Sequence, residues 1–294
     1  TDNQQLMLDI FTLIAFDYDF GSLNNLLSII SRKSATLINI EDKPELSDLK
    51  TNLNDKAINL VASLVSSLHK DEVAEMLKRE EVKIGFTKQE LLDEVLSLLL
   101  AGYETTSSTI SWFIYYVHKN PEAEQKMKEE LKRHGITKET SLDYDNLLQK
   151  CEYIDCVINE TLKIAPLAVG SFQTLIKGAV VDGVKLRRGE TVLSAFSLMQ
   201  SDPRNWKLDP TQFIPERFYG IDAPDRNHHS FAFMPFGGGN RTCAGQDAAC
   251  LELKVIVTRL MQFVTFIDAP GKDDGHCQRM IIMPKELAVS IKFD

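Results

Sequence analysis

Phe236-Gly237-Gly238-Gly239-Asn240-Arg241-Thr242-Cys243-Ala244-Gly245 is a glycine-rich loop that ends in a cysteine at the foot of an apolar helix. Three consecutive glycines let backbone come close to a flat ligand and take angles that side chains forbid. A thiolate at a helix N-terminus is stabilised by the unpaired N–H groups of the first turn, which also donate to the sulfur. Arg241, two residues earlier, adds a planar cation suited to a carboxylate. Together these residues point to a metal-thiolate site. Two ordinary readings compete: a lone cysteine after a turn is commonly a small buried hydrophobe, and a glycine-rich loop before a helix commonly holds phosphate. The phosphate reading fails on detail, because no Gly-Lys-Ser/Thr follows the glycines and no βαβ unit surrounds them.

Working outward, Leu253, Val257, Leu260, Met261 and Val264 predict a helix from the cysteine to about Phe263. Far upstream, Thr87-Lys88-Gln89-Glu90 has the form of a capping box, and nothing breaks the helix it starts until Asn120-Pro121. About 31 residues would make it roughly 46 Å long, enough to cross a domain. Its centre, Val95 to Ala101, is apolar almost all round and predicts burial in a core. Gly102, Glu104, Thr105 and Thr106 fall there, although Gly and Thr weaken helices and a buried carboxylate is costly. An ordinary account has each hydroxyl bonding the carbonyl one turn back and Glu104 meeting a cation.

Together the two stretches resemble the cytochrome P-450 family, the haem-thiolate monooxygenases. Phe236, Gly239, Arg241, Cys243 and Gly245 fit the family's haem-binding signature F-x-x-G-x-R-x-C-x-G, and Ala101-Gly102-Tyr103-Glu104-Thr105-Thr106 resembles its A/G-G-x-D/E-T-T/S motif. The resemblance implies haem b with Cys243 as the axial thiolate on iron and Arg241 paired with a propionate. It implies that Gly102 opens room for dioxygen on the other face, and that Glu104 and Thr105 relay protons there. Implied partners are a hydrophobic small-molecule substrate, dioxygen and a flavoprotein reductase or other electron donor. The apolar residues expected to face the substrate are Leu98, Ala101, Leu167, Ala168, Val169, Phe172, Ile281 and Ile282.

Ile154, Val157, Ile158, Thr161 and Leu162 mark a further helix up to Pro166, on which Glu160 and Lys163 share a face. On residues alone this is a surface ion pair of little worth. The position resembles the family's E-x-x-R helix, whose pair closes a triad with the arginine of a P-E-R-F segment, here Pro215-Glu216-Arg217-Phe218. Lys163 departs from that pattern, since lysine keeps the charge but lacks the fork that holds two partners. Gln173 and Gln200 depart too, standing where many relatives place an arginine and a histidine that reach haem propionates. Pro121 opens another helix carrying Lys126, Lys128, Lys132 and Arg133 among glutamates. Such a mixed face is ordinarily only solvated, while the resemblance lets part of it dock an acidic electron-transfer partner.

From Gly170 to Ala195 the pattern changes to short alternating runs around Asp182-Gly183, a hairpin signal, followed by a Pro-punctuated meander. Two amphipathic helices from Met7 and Leu23, a polar linker at 39–52 and a helix from Leu53 are expected ahead of the long helix. The fold class expected is mainly α with a small β region (α+β), as one partial haem-thiolate domain over 1–294. Its parts are a helical 1–165, a small β region and meander 166–235, a haem loop and last helix 236–264, and a C-terminal hairpin 278–294.

The hydrophobic share of 44% is ample for a core. Lys plus Arg number 33 against 42 for Asp plus Glu, and the net charge of −9 argues against nucleic acid as the main partner. Five cysteines, an odd number with no C-x-x-C pair, suggest a reducing compartment and no disulfide framework. No run of about 18 apolar residues occurs, so no membrane segment is expected in this chain. An intracellular, soluble location follows, whereas full-length relatives are often anchored in the endoplasmic reticulum membrane. The resemblance covers the family's C-terminal part only, and Leu23 to Glu90 looks short for the helices that roof the substrate pocket. The chain is expected to be a fragment or a divergent short member, and the rival function is a haem-binding protein without catalysis. A zinc site using Cys243, Cys250, His228 and His229 fits by residue type but matches no common spacing.

Overall fold

The computed structural model describes residues 77, 85–140, 142, 150–268, 275–278, 281–285 and 289–294. The expected helices from Met7, Leu23 and Leu53, and the linker at 39–52, lie outside the described residues. The chain divides into two compact units, residues 1–107 and 108–294.

In the first unit the capping box forms as spelled. Thr87 N donates to Glu90 Oε2 at 2.8 Å, and Glu90 N donates back to Thr87 Oγ1 at 3.2 Å. Two of the helix's orphan donors are thereby satisfied. Helix α1 then runs Lys88–Lys119, 32 residues, those from 108 on belonging to the second unit, and stops where Asn120-Pro121 removes the next donor. Its apolar centre is not buried all round as expected. Leu91 and Leu99 are buried, but Leu96 and Leu100, one turn apart on one face, are 37% and 45% exposed. The run carries more apolar surface than its neighbours in the chain cover.

In the second unit, α2 (Pro121–Arg133), α3 (Glu152–Ile164) and, after the short α4 (Phe196–Ser201), the long α5 (Gln246–Phe263) form the helical framework, with α2, α3 and α5 packed against one another. Val117, Met127, Ile154 and Val157 are fully covered, with Leu253, Val257 and Met261 from α5 closing the core. This packing is why the i, i+3, i+4 stripe of α3 is legible in the sequence. Four two-stranded antiparallel ladders attach to the helices: β1 (Ser171–Thr174) with β4 (Thr191–Ser194), β2 (Ala179–Val181) with β3 (Val184–Leu186), β5 (Val264–Asp268) with β8 (Val289–Phe293), and β6 (His276–Gln278) with β7 (Ile282–Pro284). Asp182 and Gly183 both take positive φ, 48° and 78°, which is the turn that joins two strands across a two-residue loop.

The tail departs from expectation. Met283-Pro284 lies in β7, paired with β6, and the last strand does not close the expected hairpin over 278–294 but pairs with β5, Val264 opposite Phe293. Pairing between segments so far apart in sequence leaves no local turn signal. The basic face of α2 is also partly consumed. Lys126 Nζ donates to Glu216 at 2.6 Å, and Lys128 reaches Glu124, Thr265 and Asp294, leaving Lys132 and Arg133 exposed. Among the described residues no helix is long and apolar enough to cross a membrane.

Gly170, at the entry to β1, faces the Ser194 carbonyl so closely that a Cβ would run into it. Gly170→Ala should therefore prise β1 from β4 and cost about 1–3 kcal/mol. The shift of the urea unfolding midpoint measures it, and a change under about 0.5 kcal/mol would show that the ladder yields freely.

Candidate functional site

The loop 236–245 is built by its glycines and closed by one backbone bond. Gly237 and Gly239 take φ of 73° and 70°, angles that a side chain resists. Gly238 is extended, and a Cβ there would come within 2.5 Å of the Met234 methyl. Gly237 N donates to Met234 O at 3.1 Å, and Cys243 N donates to Phe236 O at 2.9 Å, so the two ends of the signature meet. Gly239–Arg241 form a 3-10 turn between them, tied by Thr242 N and Oγ1 to Gly239 O. Cys243 O accepts Gln246 N at 3.4 Å and Gly245 O accepts Ala249 N at 2.8 Å, which launches α5 directly after the cysteine. The sequence-predicted Phe236, Gly239, Arg241, Cys243 and Gly245 are thus brought into one turn.

Cys243 is a free, exposed thiol three residues before the first helical residue of α5. Arg241 is exposed and has no ion-pair partner among the described residues. A single soft donor with an uncommitted planar cation beside it suits a group that brings most of its own metal ligands and carries carboxylates, as haem does. Two of the other cysteines differ. Cys151 and Cys156 are buried, and burial pushes the Cys156 thiol up to about 12. His228 does not join Cys243: its ring stacks on Trp206, and its Nδ1 lies against Asp225 O. His229 accepts Phe231 N through Nδ1.

Behind the loop, the meander is fastened to α3 by buried charges. Glu160 and Arg217 are fully covered and Lys163 is 2% exposed. Arg217 Nε donates to Glu160 Oε2 at 2.8 Å, Nη1 to Asp225 Oδ2 at 2.9 Å and Leu208 O at 3.2 Å, and Nη2 to Asp209 O at 2.7 Å and Gln212 O at 3.2 Å. The surface pair that the residues alone suggest is instead a buried network: Arg217 of the P-E-R-F segment joins Glu160, with Lys163 at 3.7 Å, as the resemblance implies, and Asp225, which no sequence pattern singles out, is a further member. Lys163 takes the part its chemistry allows: Nζ donates to Pro210 O at 2.8 Å, and Glu160 stands off at 3.7 Å. Both cations also lie over the Trp206 ring, at 5.1 and 5.5 Å.

Burial brings the Lys163 amine down from 10.5 to about 8, opposed by Glu160 and reinforced by Arg217. Between those two values the unfolded chain holds a proton on Lys163 that the folded chain has released, so stability rises with pH across that window, and below it the handicap is complete. Wild type should accordingly gain stability relative to Lys163→Met when urea unfolding is moved from about pH 7.5 to about pH 9.5. A constant difference between the two proteins would contradict the lowered value.

The two glutamines that depart from the family pattern differ in their surroundings. Gln173 is exposed on β1, and Gln200, 1% exposed, spends its amide on the backbone of α3 and of Met234. Of the expected substrate-facing residues in this unit, Leu167 and Ile282 are joined by Ile282 N to Leu167 O at 2.9 Å, with Trp112 Nε1 donating to Ile282 O. Phe172 is 70% exposed.

The other motif lies on α1 in the first unit. Gly102, Glu104 and Thr105 are half-buried in continuous helix. Thr105 Oγ1 donates to Ala101 O at 2.6 Å, and Ser107 Oγ donates to Glu104 O at 3.0 Å, the one-turn-back bonding that an ordinary helical hydroxyl makes.

The chain matches the cytochrome P450 family over residues 4–291. It is 34% identical to cytochrome P450 3A6 of Oryctolagus cuniculus over 60% of this chain and 34% of that protein. It is 31% identical to cytochrome P450 3A28 of Bos taurus over 74% of this chain and 41% of that one. A goat relative, cytochrome P450 3A19 of Capra hircus aegagrus, is 35% identical over 60% of this chain and 79% of its own length. A solved structure, "Retinoic acid bound cyanobacterial CYP120A1", superposes with a TM-score of 0.73 at 25% identity, covering 91% of this chain and 56% of that one. This chain thus spans well under half the length of the rabbit and cattle relatives. The helix-rich fold with small sheets, the closed cysteine loop and these matches agree: the chain belongs to the cytochrome P450 family.

Proposed function

We propose that this chain carries the haem-holding part of a monooxygenase that inserts one atom of dioxygen into a hydrophobic organic substrate, with electrons from a separate reductase. The observation that carries this reading is the exposed Cys243 thiol at the closure of the 236–243 loop, with Arg241 uncommitted beside it. Haem, when bound, supplies the redox chemistry that activates dioxygen.

The chain's own residues do the rest. Cys243 is the iron ligand, and Arg241 offsets a propionate. Phe236, Gly239 and Gly245 shape the loop, the last without a side chain beside the sulfur. Gly102 leaves space along α1. Glu104 holds a proton and Thr105 passes it on through its hydroxyl, which must leave or share the Ala101 carbonyl to do so. Leu167, Val169 and Ile282 supply apolar surface for a substrate held by area burial. Retinoic acid, bound by the cyanobacterial structural neighbour, fits an apolar substrate class.

The Thr105 to Ala101 bond also favours a second reading, haem binding without turnover, because it satisfies the hydroxyl with no relay. The test common to both is a carbon monoxide difference spectrum of the haem-loaded, reduced chain. A red-shifted thiolate-type Soret band supports haem held by Cys243, and product formation with a reductase then separates the enzyme from the carrier. No haem uptake rejects both, and a band typical of neutral ligands rejects the Cys243 thiolate.

A further inference from the structure

Gln200, on α4, is 1% exposed, an uncommon place for a long amide, and all of its polar capacity facing the backbone is used. Nε2 donates to Leu162 O at 3.1 Å and to Lys163 O at 2.9 Å. Both carbonyls belong to the last turn of α3, where no further helical N–H reaches them. On the other side, Oε1 accepts Met234 N at 3.4 Å. Met234 is where the cysteine loop begins. Its carbonyl accepts Gly237 N, its methyl fills the space where a Gly238 Cβ would stand, and Phe236, two residues on, accepts the Cys243 amide. One side chain therefore links the end of α3 to the segment that fixes the thiol.

The residue type suits the task. A primary amide offers two donors and a carbonyl acceptor at once, so it can hold two carbonyls and one N–H, whereas a neutral imidazole offers one donor and one acceptor. The anchor is also stiff, because the same turn of α3 carries Lys163 and follows Glu160 of the buried ion network. If Gln200 only satisfied a helix end, the bond to Met234 would be without consequence for the loop.

We propose that Gln200 is the positioning residue of the Cys243 loop: through Met234 it sets where the thiol stands. Its purpose rests on the haem-thiolate reading, while the tie itself requires no cofactor. The experiment is amide hydrogen exchange on the haem-free full chain, comparing wild type, Gln200→Met and a control, Lys128→Met, which breaks the Glu124 and Asp294 contacts instead. Peptides spanning 234–243 should exchange about five- to tenfold faster in Gln200→Met, the effect of losing a hydrogen bond or so, while α5 keeps its rate. Lys128→Met should leave 234–243 at the wild-type rate. Equal exchange of 234–243 in Gln200→Met and wild type, or an equal acceleration in every peptide, overturns the proposal. Should Gln200→Met fail to fold, Gln200→Asn keeps an amide one methylene too short to span both sides, and the same criterion applies.

The haem-loaded chain gives a second readout. Gln200→Met should move part of the thiolate-type carbon monoxide band to the neutral-ligand form, and an unchanged band beside faster exchange would reduce Gln200 to a brace of the fold. Absence of the band from wild type would instead reject the haem-thiolate reading and leave the exchange result to decide the tie.

Discussion

Cys243→Ala is expected to abolish the thiolate-type carbon monoxide band completely while leaving the fold in place. The two halves of that expectation come from different parts of the geometry. The side chain is exposed and outside the core, so its removal should change stability by less than about 0.5 kcal/mol. The main chain still donates Cys243 N to Phe236 O, so the loop keeps its closure. What is lost is the only soft donor in the turn, and the imidazoles of His228 and His229 are turned to partners of their own. Cys250→Ala is the control. That residue is also exposed but lies inside α5, four residues past its start, and its replacement should leave the band intact. A thiolate-type band surviving in Cys243→Ala, or lost in Cys250→Ala, would move the ligand and undo the assignment of this loop. The full chain, loaded with haem and reduced, is the sample for both variants, and circular dichroism confirms that each is folded.

Much of the fold was legible because it is written locally. The Thr87 to Glu90 box, the Asp182-Gly183 turn and Pro121 each act within a few residues, so a short window of sequence carries the whole cause. The cysteine loop is legible for the same reason, since its glycines and its closing bond all lie between Phe236 and Cys243. What sequence did not convey is what comes together from afar. Spacing alone makes Glu160 and Lys163 look like a solvated pair; the resemblance brings Arg217 to them, but their burial depends on the meander folding over them. Asp225 carries no pattern at all, yet its two oxygens accept Lys207 N, Leu208 N and Arg217. Gln200 stood out as a departure, but its inward direction depends on where α3 ends and where Met234 passes. The last strand's pairing with β5 was missed because strand partners so distant along the chain leave no mark on a turn between them.

Arg217→Met should cost about 3–5 kcal/mol of unfolding free energy, the range for breaking a buried ion pair from one side. The size follows from the bond inventory. A guanidinium has five N–H donors, and here each has an acceptor: Glu160, Asp225, and the carbonyls of Leu208, Asp209 and Gln212. Methionine fills much of the volume but leaves Glu160 with only the Ile214 amide and the Lys163 ammonium at 3.7 Å, removes a donor from three meander carbonyls, and leaves Asp209 O only the Gln212 amide at 3.4 Å. Burial already raises the Glu160 carboxyl above its usual range, so with Arg217 gone it should take up a proton more readily and part of the loss should appear as an altered acid limb of stability. Arg217→Lys should fall short of full rescue, because one ammonium cannot reach partners spread around a planar fork. Equilibrium urea unfolding of both variants measures the cost, and the double variant Glu160→Gln/Arg217→Met separates its origin. If the loss is the stranded charge, the double variant should be markedly more stable than the sum of the single changes predicts. A simple sum would place the cost in the meander carbonyls instead, and a loss below about 1 kcal/mol for Arg217→Met would mean that water enters the site and does what the arginine does.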